Sequence, residues 1–223
     1  MTRILSVLLL VAFGWMTSAC TSTERSARSG DADSELLVAA RDGDTGGVAQ
    51  ALEAGADVEA RDEQQRTPLL LAVTGDHVEV AQLLLTQGAS PDALDGRHDT
   101  PWLVTGVTGS VAMVEVLLPA KPDLTIKNRY GGVSIIPASE RGHVDYVRRV
   151  VRTDIDVNHV NDLGWTALLE AVILGDGGER HQEIVRILLD AGADRSIADK
   201  DDVTALEHAR IKGFDEIAAL LDD

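Results

Sequence analysis

The apolar residues of this chain recur in two alternating helical patterns. In the first pattern, represented by Leu69 and Ala72, the apolar positions directly follow a Thr-Pro pair. In the second, represented by Val80, Leu83 and Leu84, they lie three and four residues apart. Such spacings place the apolar side chains on one face of a helix. The sequence therefore predicts pairs of short helices, each with one face to bury.

The paired pattern repeats along the chain with a period of 33 residues. Its opening is clearest at residues 67–72 (TPLLLA), and copies of it begin at residues 34, 67, 100, 133 and 166. A second landmark, clearest at residues 55–58 (GADV), keeps the same step. The last opening begins at Thr204, 38 residues after its predecessor, so five residues are inserted. The insertion falls in residues 175–180, where it is expected to lengthen the turn between two helices and to form a rim.

Elementary helix chemistry explains both landmarks. A threonine before the first apolar residue caps the helix, and a proline in the first helical position loses no hydrogen bond, because an N–H there has no helical partner. Gly55, Gly88 and Gly192 supply the left-handed backbone that ends the second helix of each unit.

The period, the T-P-L-x-x-A opening and the G-A-D-V close resemble the ankyrin repeat. The resemblance covers residues 34–223 as six repeats. It implies an all-α solenoid of helix-turn-helix units that are linked by hairpin loops. No unit can bury its apolar faces alone, so the repeats must stack.

Two neighbouring repeats depart from the pattern. The fourth opens with Val133 and Ser134 in place of Thr-Pro and carries Pro137 within the first turn of its helix. The third has Pro119 near the end of its second helix and no glycine after it. Because proline interrupts helical hydrogen bonding, we expect repeats three and four to be the least regular and the least stable.

The first 19 residues have the layout of a signal peptide. Arg3 is their only charge, an apolar run extends over residues 4–16, and small residues follow. Such a run is shorter than the ~20 residues that a membrane-spanning helix needs. Cys20 is the only cysteine of the chain, and its position resembles that of the lipidated cysteine of bacterial lipoproteins. The alternatives are general signal cleavage after Ala19, which leaves a free thiol, and a signal segment that stays uncleaved as an anchor.

Residues 20–33 are rich in serine, threonine, arginine and glycine and lack apolar periodicity, so they are predicted to be a flexible tether behind the lipidated Cys20. On either cleavage the mature chain lies outside the cytoplasm. The lipid places it on the cell envelope, on the periplasmic or the outer side of a membrane.

Composition excludes several classes of protein. The formal net charge is −17, which argues against binding to nucleic acid and to anionic lipid headgroups. The lipid anchor is therefore the only membrane contact that we expect. Aromatic residues make up 3% of the chain, too few for a typical β-sandwich or barrel, and apolar residues make up 44%, too many for a disordered acidic tail.

No residues have the spacing of a catalytic, cofactor or metal site. His77, His143 and His181 share one repeat position, where the resemblance implies a hydrogen bond between neighbouring turns. His208 lies at an apolar repeat position and is expected to be partly buried and hydrogen-bonded. Residues 106–109 (GVTG) predict a loose turn rather than a phosphate loop. We therefore expect a protein that is not an enzyme and that has no cofactor and no metal.

Recognition of another protein is the remaining interpretation. The resemblance implies that partners contact the hairpin tips and the exposed face of the first helices. Apolar residues at tips indicate interface anchors, and because consecutive tips project on one side, Tyr130, Leu163 and Trp165 are expected to form one patch. The predicted surface consists of Arg66, Arg97, Arg129, Tyr130, Asp162, Leu163 and Trp165.

Other interpretations of these residues and of the function stay open. Trp165 could instead fold back over its own hairpin, whereas Trp102, Tyr146 and Phe214 are assigned to the core. The sequence favours a monomeric, non-catalytic module that binds a protein. The alternatives are an inhibitor or immunity factor of one secreted enzyme, whose basic surface would match an acidic concave face, and an enzyme built on the repeat scaffold.

Overall fold

The computed structural model describes the backbone of residues 18–222. The solvent exposure of side chains is described for residues 30–222. Within these residues the secondary structure is α-helical, without β-strands, and one isolated bridge joins Ala198 to Thr204. The helices are α1 (Ser18–Asp42), α2 (Thr45–Glu53), α3 (Pro68–Thr74), α4 (Val78–Thr86), α5 (Pro101–Thr108), α6 (Val111–Leu117), α7 (Ile135–Glu140), α8 (Val144–Val150), α9 (Ala167–Ile173), α10 (Glu179–Asp190), α11 (Ala205–Lys212) and α12 (Asp215–Asp222).

The helices form a stack of six pairs. Each first helix, from α1 to α11, packs on the first helix of the next pair, and each second helix packs on the next second helix. One continuous core runs through the stack, and Trp102 and Tyr146 are fully buried in it, as expected. Phe214 is half-buried against the same core. The predicted all-α solenoid is thus confirmed.

The helix ends follow the predicted capping chemistry. The hydroxyl oxygens of Thr67, Thr100 and Thr166 accept hydrogen bonds from the backbone N–H three residues on, at 3.1–3.2 Å. Pro68 and Pro101 occupy first helical positions. The glycines that close the second helices have φ values of +90° to +94° at positions 55, 88 and 192, in the region that favours glycine.

Repeats three and four are irregular, as predicted. A short 3-10 turn, Leu118–Ala120, follows α6, and Lys121 has a φ of 57° where repeats one, two and five have glycine. Helix α7 is only six residues long, and the side chain of Ser134 makes no capping hydrogen bond. The hydroxyl oxygen of Ser134 is buried without a hydrogen-bond partner in the described part of the chain. The lower stability of these repeats stays a prediction.

The N-terminal boundary differs from the prediction. Residues 20–33 are not a flexible tether in the structure, because they belong to α1, which begins at Ser18. Ala32 is buried, and a carboxylate oxygen of Asp33 accepts a hydrogen bond from the Asp57 N–H at 2.7 Å. Once packing has nucleated a helix, each added residue extends it at a small cost in free energy. The polar residues 20–33 therefore continue α1 toward its N-terminus. Residues 1–17, most of the predicted signal peptide, lie outside the described residues.

Two turn predictions are also corrected. Residues 106–108 are helical and end α5, and Gly109, with a φ of 72°, is its C-cap. Gly106 lets α5 approach α7, because a Cβ atom there would lie 1.9 Å from the carbonyl oxygen of Ser134. The five-residue insertion lengthens α10 as well as the turn before it, since α10 has 12 residues where α4 has 9.

Between Ser18 and Asp222, no helix combines the length and the apolar character that crossing a membrane requires.

Candidate protein-binding cleft

A cleft of about 540 Å³ crosses four neighbouring repeats on the side of the first helices. Its floor is formed by residues of α3, α5, α7 and α9, and its edge by the four hairpins that precede these helices. The apolar side chains that line it are Leu70, Val104, Val107, Tyr130, Ile136, Pro137, Leu163 and Leu174. The cleft therefore combines the two surfaces, first helices and tips, that were expected to meet a partner.

An Asp or Asn side chain holds each hairpin tip in the same way. Asn161 Oδ1 accepts hydrogen bonds from the N–H groups of Leu163 and Trp165, both at 3.0 Å. The residues that make the same pair of bonds in the other tips are Asp62, Asp95, Asn128 and Asp199. Backbone hydrogen bonds also join adjacent tips. For example, the Asp162 N–H donates to the Tyr130 carbonyl oxygen at 2.9 Å.

These tip residues were not predicted from the sequence, although their signal was present. Residues 62, 95, 128 and 161 follow one another at the repeat step of 33. Asp and Asn side chains commonly bond to nearby backbone N–H groups in turns. The tips are therefore fixed by their own sequence and hold their exposed side chains in place.

The structure brings five of the seven predicted surface residues together. Arg66, Arg97, Arg129, Tyr130 and Leu163 all line the cleft. Tyr130 and Leu163 are 52% and 49% exposed. The guanidinium of Arg129 lies 4.4 Å above the Tyr130 ring and 3.6 Å from a carboxylate oxygen of Asp99, which orients the edge of the cleft.

Trp165 and Asp162 do not line the cleft. Trp165 is half-buried and packs against the core, as in the alternative of a ring folded back over its hairpin. The indole removes more apolar surface from water by this packing than it would at an exposed tip. Asp162 is exposed and lies beside Gly131 of the preceding tip. The expected patch of three apolar tip residues thus consists of Tyr130 and Leu163.

A buried carboxyl group lies in the cleft wall. Glu170 of α9 is 6% exposed, and the Asn161 side-chain amide donates a hydrogen bond to its Oε1 at 2.8 Å. Burial, together with the negative charge of Glu140, raises the pKa of Glu170 to about 7. Glu170 was not predicted as a site residue, although the corresponding positions of the preceding repeats hold Leu71, Val104 and Pro137. A charged residue at a repeat position that is otherwise apolar was the signal.

The charges of the cleft are mixed, which corrects the expectation of an acidic concave face. Four arginines and four carboxyl groups line it: Arg66, Arg97, Arg129, Arg141, Asp95, Asp99, Glu140 and Glu170. The hairpin edge holds three of the arginines. Burial and the nearby Asp95 raise the pKa of Asp99, although the charge of Arg129 opposes this shift.

The histidines join repeats, as predicted. The Nε2 atoms of His77, His143 and His181 lie 2.9, 3.1 and 3.0 Å from carbonyl oxygens of the preceding repeats. His208 is partly buried, with Nε2 2.7 Å from a carboxylate oxygen of Asp199. Among the described residues, no group of three or more His, Cys, Asp or Glu side chains is placed to hold a metal ion.

Comparisons with known proteins agree with this fold. A family model described as ankyrin repeats matches residues 36–128, 102–199 and 135–222. YahD of Escherichia coli (strain K12), which is described as a putative ankyrin repeat protein, is 40% identical over 188 residues, 84% of this chain and 94% of its own. An L-asparaginase of Dirofilaria immitis is 31% identical over 176 residues, 78% of this chain but 29% of that protein.

Two crystal structures are also similar. One is an ankyrin repeat domain from Acinetobacter baumannii AYE, with a TM-score of 0.80 and 44% identity over 83% of this chain and 95% of that one. The other is an ankyrin repeat protein with a TM-score of 0.82 and 37% identity over 86% of this chain and 98% of that one.

Proposed function

This chain belongs to the ankyrin-repeat family, and from that premise we propose that it is a non-catalytic module that binds another protein in its cleft. We propose further that a lipid on Cys20 anchors it to the cell envelope, outside the cytoplasm. Ankyrin repeats generally mediate binding to other proteins, and stacking of repeats creates the extended surface that such binding uses.

The exposed apolar side chains of the cleft carry the proposal. Val107, Tyr130, Leu163 and Leu174 are among the large apolar residues that the described structure leaves exposed, and all four line this one cleft. Exposed apolar side chains that are scattered singly need no explanation, whereas a contiguous group with a polar border marks an interaction site. The arginines at the hairpin edge supply such a border.

The fixed tips also favour binding. Hydrogen bonds from the hairpin N–H groups to Asn128 and Asn161 hold Tyr130 and Leu163 in position before any partner arrives. A surface that is already ordered loses less conformational freedom on association, so more of the contact free energy appears as affinity.

The proposal assigns no catalysis to the cleft. A raised pKa such as that of Glu170 is found at many catalytic sites, but structural groups show it as well. Thr74 brings a hydroxyl to the cleft, and it donates to the Leu70 carbonyl at 2.7 Å. The match to L-asparaginase spans 29% of that protein and therefore gives no ground for its activity here.

The binding proposal is tested by affinity capture of envelope proteins on the full chain. The double variant Tyr130→Ala/Leu163→Ala should lose the captured partner. Val160→Ala is the matched control, because Val160 is an exposed apolar hairpin residue that does not line the cleft. Equal capture by the wild type and the double variant would contradict the proposal. Salt-sensitive capture of a single enzyme, with loss of its activity, would favour an inhibitor.

The anchor proposal rests on the sequence around Cys20, where an apolar run and small residues precede the only cysteine. Labelled fatty acid should enter the wild-type chain in a bacterial host, and Cys20→Ser should abolish the label. Cys20→Ser alters no residue that lines the cleft, so binding should persist. An intact mass that shows an unmodified Cys20 would contradict the anchor.

A further inference from the structure

We propose, building on the proposed function, that the cleft recognises an extended partner segment that places an arginine or lysine side chain against Glu140 and Glu170. An apolar side chain of the same segment packs on Tyr130 and Leu163.

Among the described residues, Glu140 and Glu170 have no positively charged partner. Glu140 is half-buried at the end of α7, and Glu170 is buried on the neighbouring α9. No arginine or lysine forms an ion pair with either carboxyl group within residues 30–222. In the same part of the chain, the single hydrogen bond to the Glu170 carboxyl group comes from Asn161 and reaches Oε1.

Two arginines of the cleft edge are engaged elsewhere. Arg66 is held 2.7 Å from Asp62 within its own hairpin. Arg129 lies between Asp99 and the Tyr130 ring. These contacts keep both guanidinium groups with the tips, so the carboxyl groups on the helices face the cleft without them.

A buried carboxylate without a counter-ion is unfavourable, and a cation from a partner removes that penalty. The neighbouring Glu140 charge adds to the penalty, and for the same reason it adds to the attraction for a cation. A guanidinium group suits the pair well because its planar N–H donors can bond to two carboxylate oxygens at once. Lysine can supply a point charge at the same place.

The other charged groups around Glu170 lie at the cleft edge or have partners of their own. Arg141 directly follows α7 and Glu140, at the exposed edge of the cleft. On α10, His181 bonds to Asp176 and to the Glu140 carbonyl oxygen. On α11, His208 pairs with Asp199, and Lys212 donates to the carbonyl oxygens of the last turn of α9.

The shape of the cleft favours an extended segment as the occupant. The lining residues come from four successive repeats, so a segment that fills the cleft crosses several first helices. Val107 lies on α5, in the repeat before that of Glu140. Leu174 directly follows α9, in the repeat after it. A basic side chain with an apolar neighbour matches this order of groups.

The test begins with a phage-displayed library of random twelve-residue peptides, selected on the full chain at pH 7.5. Selected peptides should be enriched in arginine or lysine next to an aliphatic or aromatic residue. Binding of one such peptide is then compared by calorimetry with its citrulline or acetyl-lysine version. Loss of the positive charge should weaken binding to the wild type at least tenfold, and to Glu170→Gln less than twofold.

The controls separate a local pair from the general attraction of an acidic protein for basic peptides. Glu79→Gln removes one charge from an exposed position of α4 outside the cleft and should behave as the wild type. Circular dichroism checks whether Glu170→Gln is folded. If it is not, Glu140→Gln takes its place as the test variant.

The outcomes distinguish this inference from the proposed function. One outcome is that the peptides need Tyr130 but still prefer the charged form over the uncharged form as strongly in Glu170→Gln and Glu140→Gln as in the wild type. This outcome leaves the binding proposal intact and overturns the inference. Enrichment in aspartate and glutamate also overturns it. A selection that yields no peptide sensitive to any cleft residue overturns both the inference and the binding proposal.

Discussion

The Asn161 side chain links a hairpin tip to Glu170. Its Nδ2 donates to Glu170 Oε1 at 2.8 Å, while its Oδ1 accepts from the N–H groups of Leu163 and Trp165. One residue therefore positions an apolar residue of the cleft edge and donates a hydrogen bond to one oxygen of the buried carboxyl group beside it. The corresponding tip residues include Asp62 and Asp95, which lack an amide donor.

Asn161→Asp should keep the tip and lose the bond to Glu170. The new carboxylate can still accept from the hairpin N–H groups, as Asp95 does, but its charge repels Glu170. We expect a loss of about 1–3 kcal/mol in the free energy of unfolding at pH 8, typical of an unpaired buried polar group. Urea denaturation measures it. Asn128→Asp is the control and should change stability less, so equal losses in the two variants would contradict the account.

Glu170 should make stability fall as the pH rises. Burial raises the pKa of this carboxyl group from its ordinary value of 4.5 to about 7, so the folded state holds the proton more tightly than the unfolded state between these values. Stability should therefore decrease from about pH 4.5 to above pH 7, by up to ~3 kcal/mol from this group. The variant Glu170→Gln should lack this decrease and be the more stable protein at pH 8. Parallel stability curves for the two proteins would show that Glu170 does not titrate in this way.

Repeats three and four should open before their neighbours. The six-residue α7 and the absence of a glycine at Lys121 both weaken this part of the stack. Local opening follows local stability. Hydrogen exchange of backbone amides should be faster across residues 114–152 than across residues 69–85. Uniform protection along the solenoid would contradict this prediction.

Trp165 and Tyr130 should respond differently to truncation. Trp165 packs against the core, so Trp165→Ala should cost about 2 kcal/mol of folding stability and little affinity. Tyr130 is 52% exposed in the cleft, so Tyr130→Ala should cost less than about 0.5 kcal/mol of stability but about 2 kcal/mol of binding free energy. Both quantities are measured on both variants. A large loss of affinity in Trp165→Ala with unchanged affinity in Tyr130→Ala would show that the partner binds the hairpin around Trp165 instead.

The periodic features of this fold could be predicted from the sequence, because they depend on local chemistry that recurs. The threonine caps, the closing glycines and the histidine bonds between repeats follow from residues at fixed steps. Features that depend on one pair of side chains could not be predicted in this way. The packing of Trp165 and the bond between Asn161 and Glu170 arise from the shape of the stack rather than from its period.

The boundaries that were wrong have a related cause. A period locates a repeat but does not show where a helix stops, so the extension of α1 to Ser18 left no signal in the 33-residue step. The insertion in repeat five shows the same limit. The size of the insertion follows from the 38-residue step between repeats five and six. How many of the added residues join the turn and how many join α10 depends on their packing.

The most direct test of the central claim is hydrogen exchange of the full chain, alone and with a partner protein obtained by affinity capture. The account predicts slower exchange in the tips at residues 128–132 and 161–165 and in the exposed amides of the first helices, with α4, α6 and α8 unchanged. Protection confined to the second helices, with the two tips unaffected, would show that the partner binds the opposite side of the solenoid and would contradict the account.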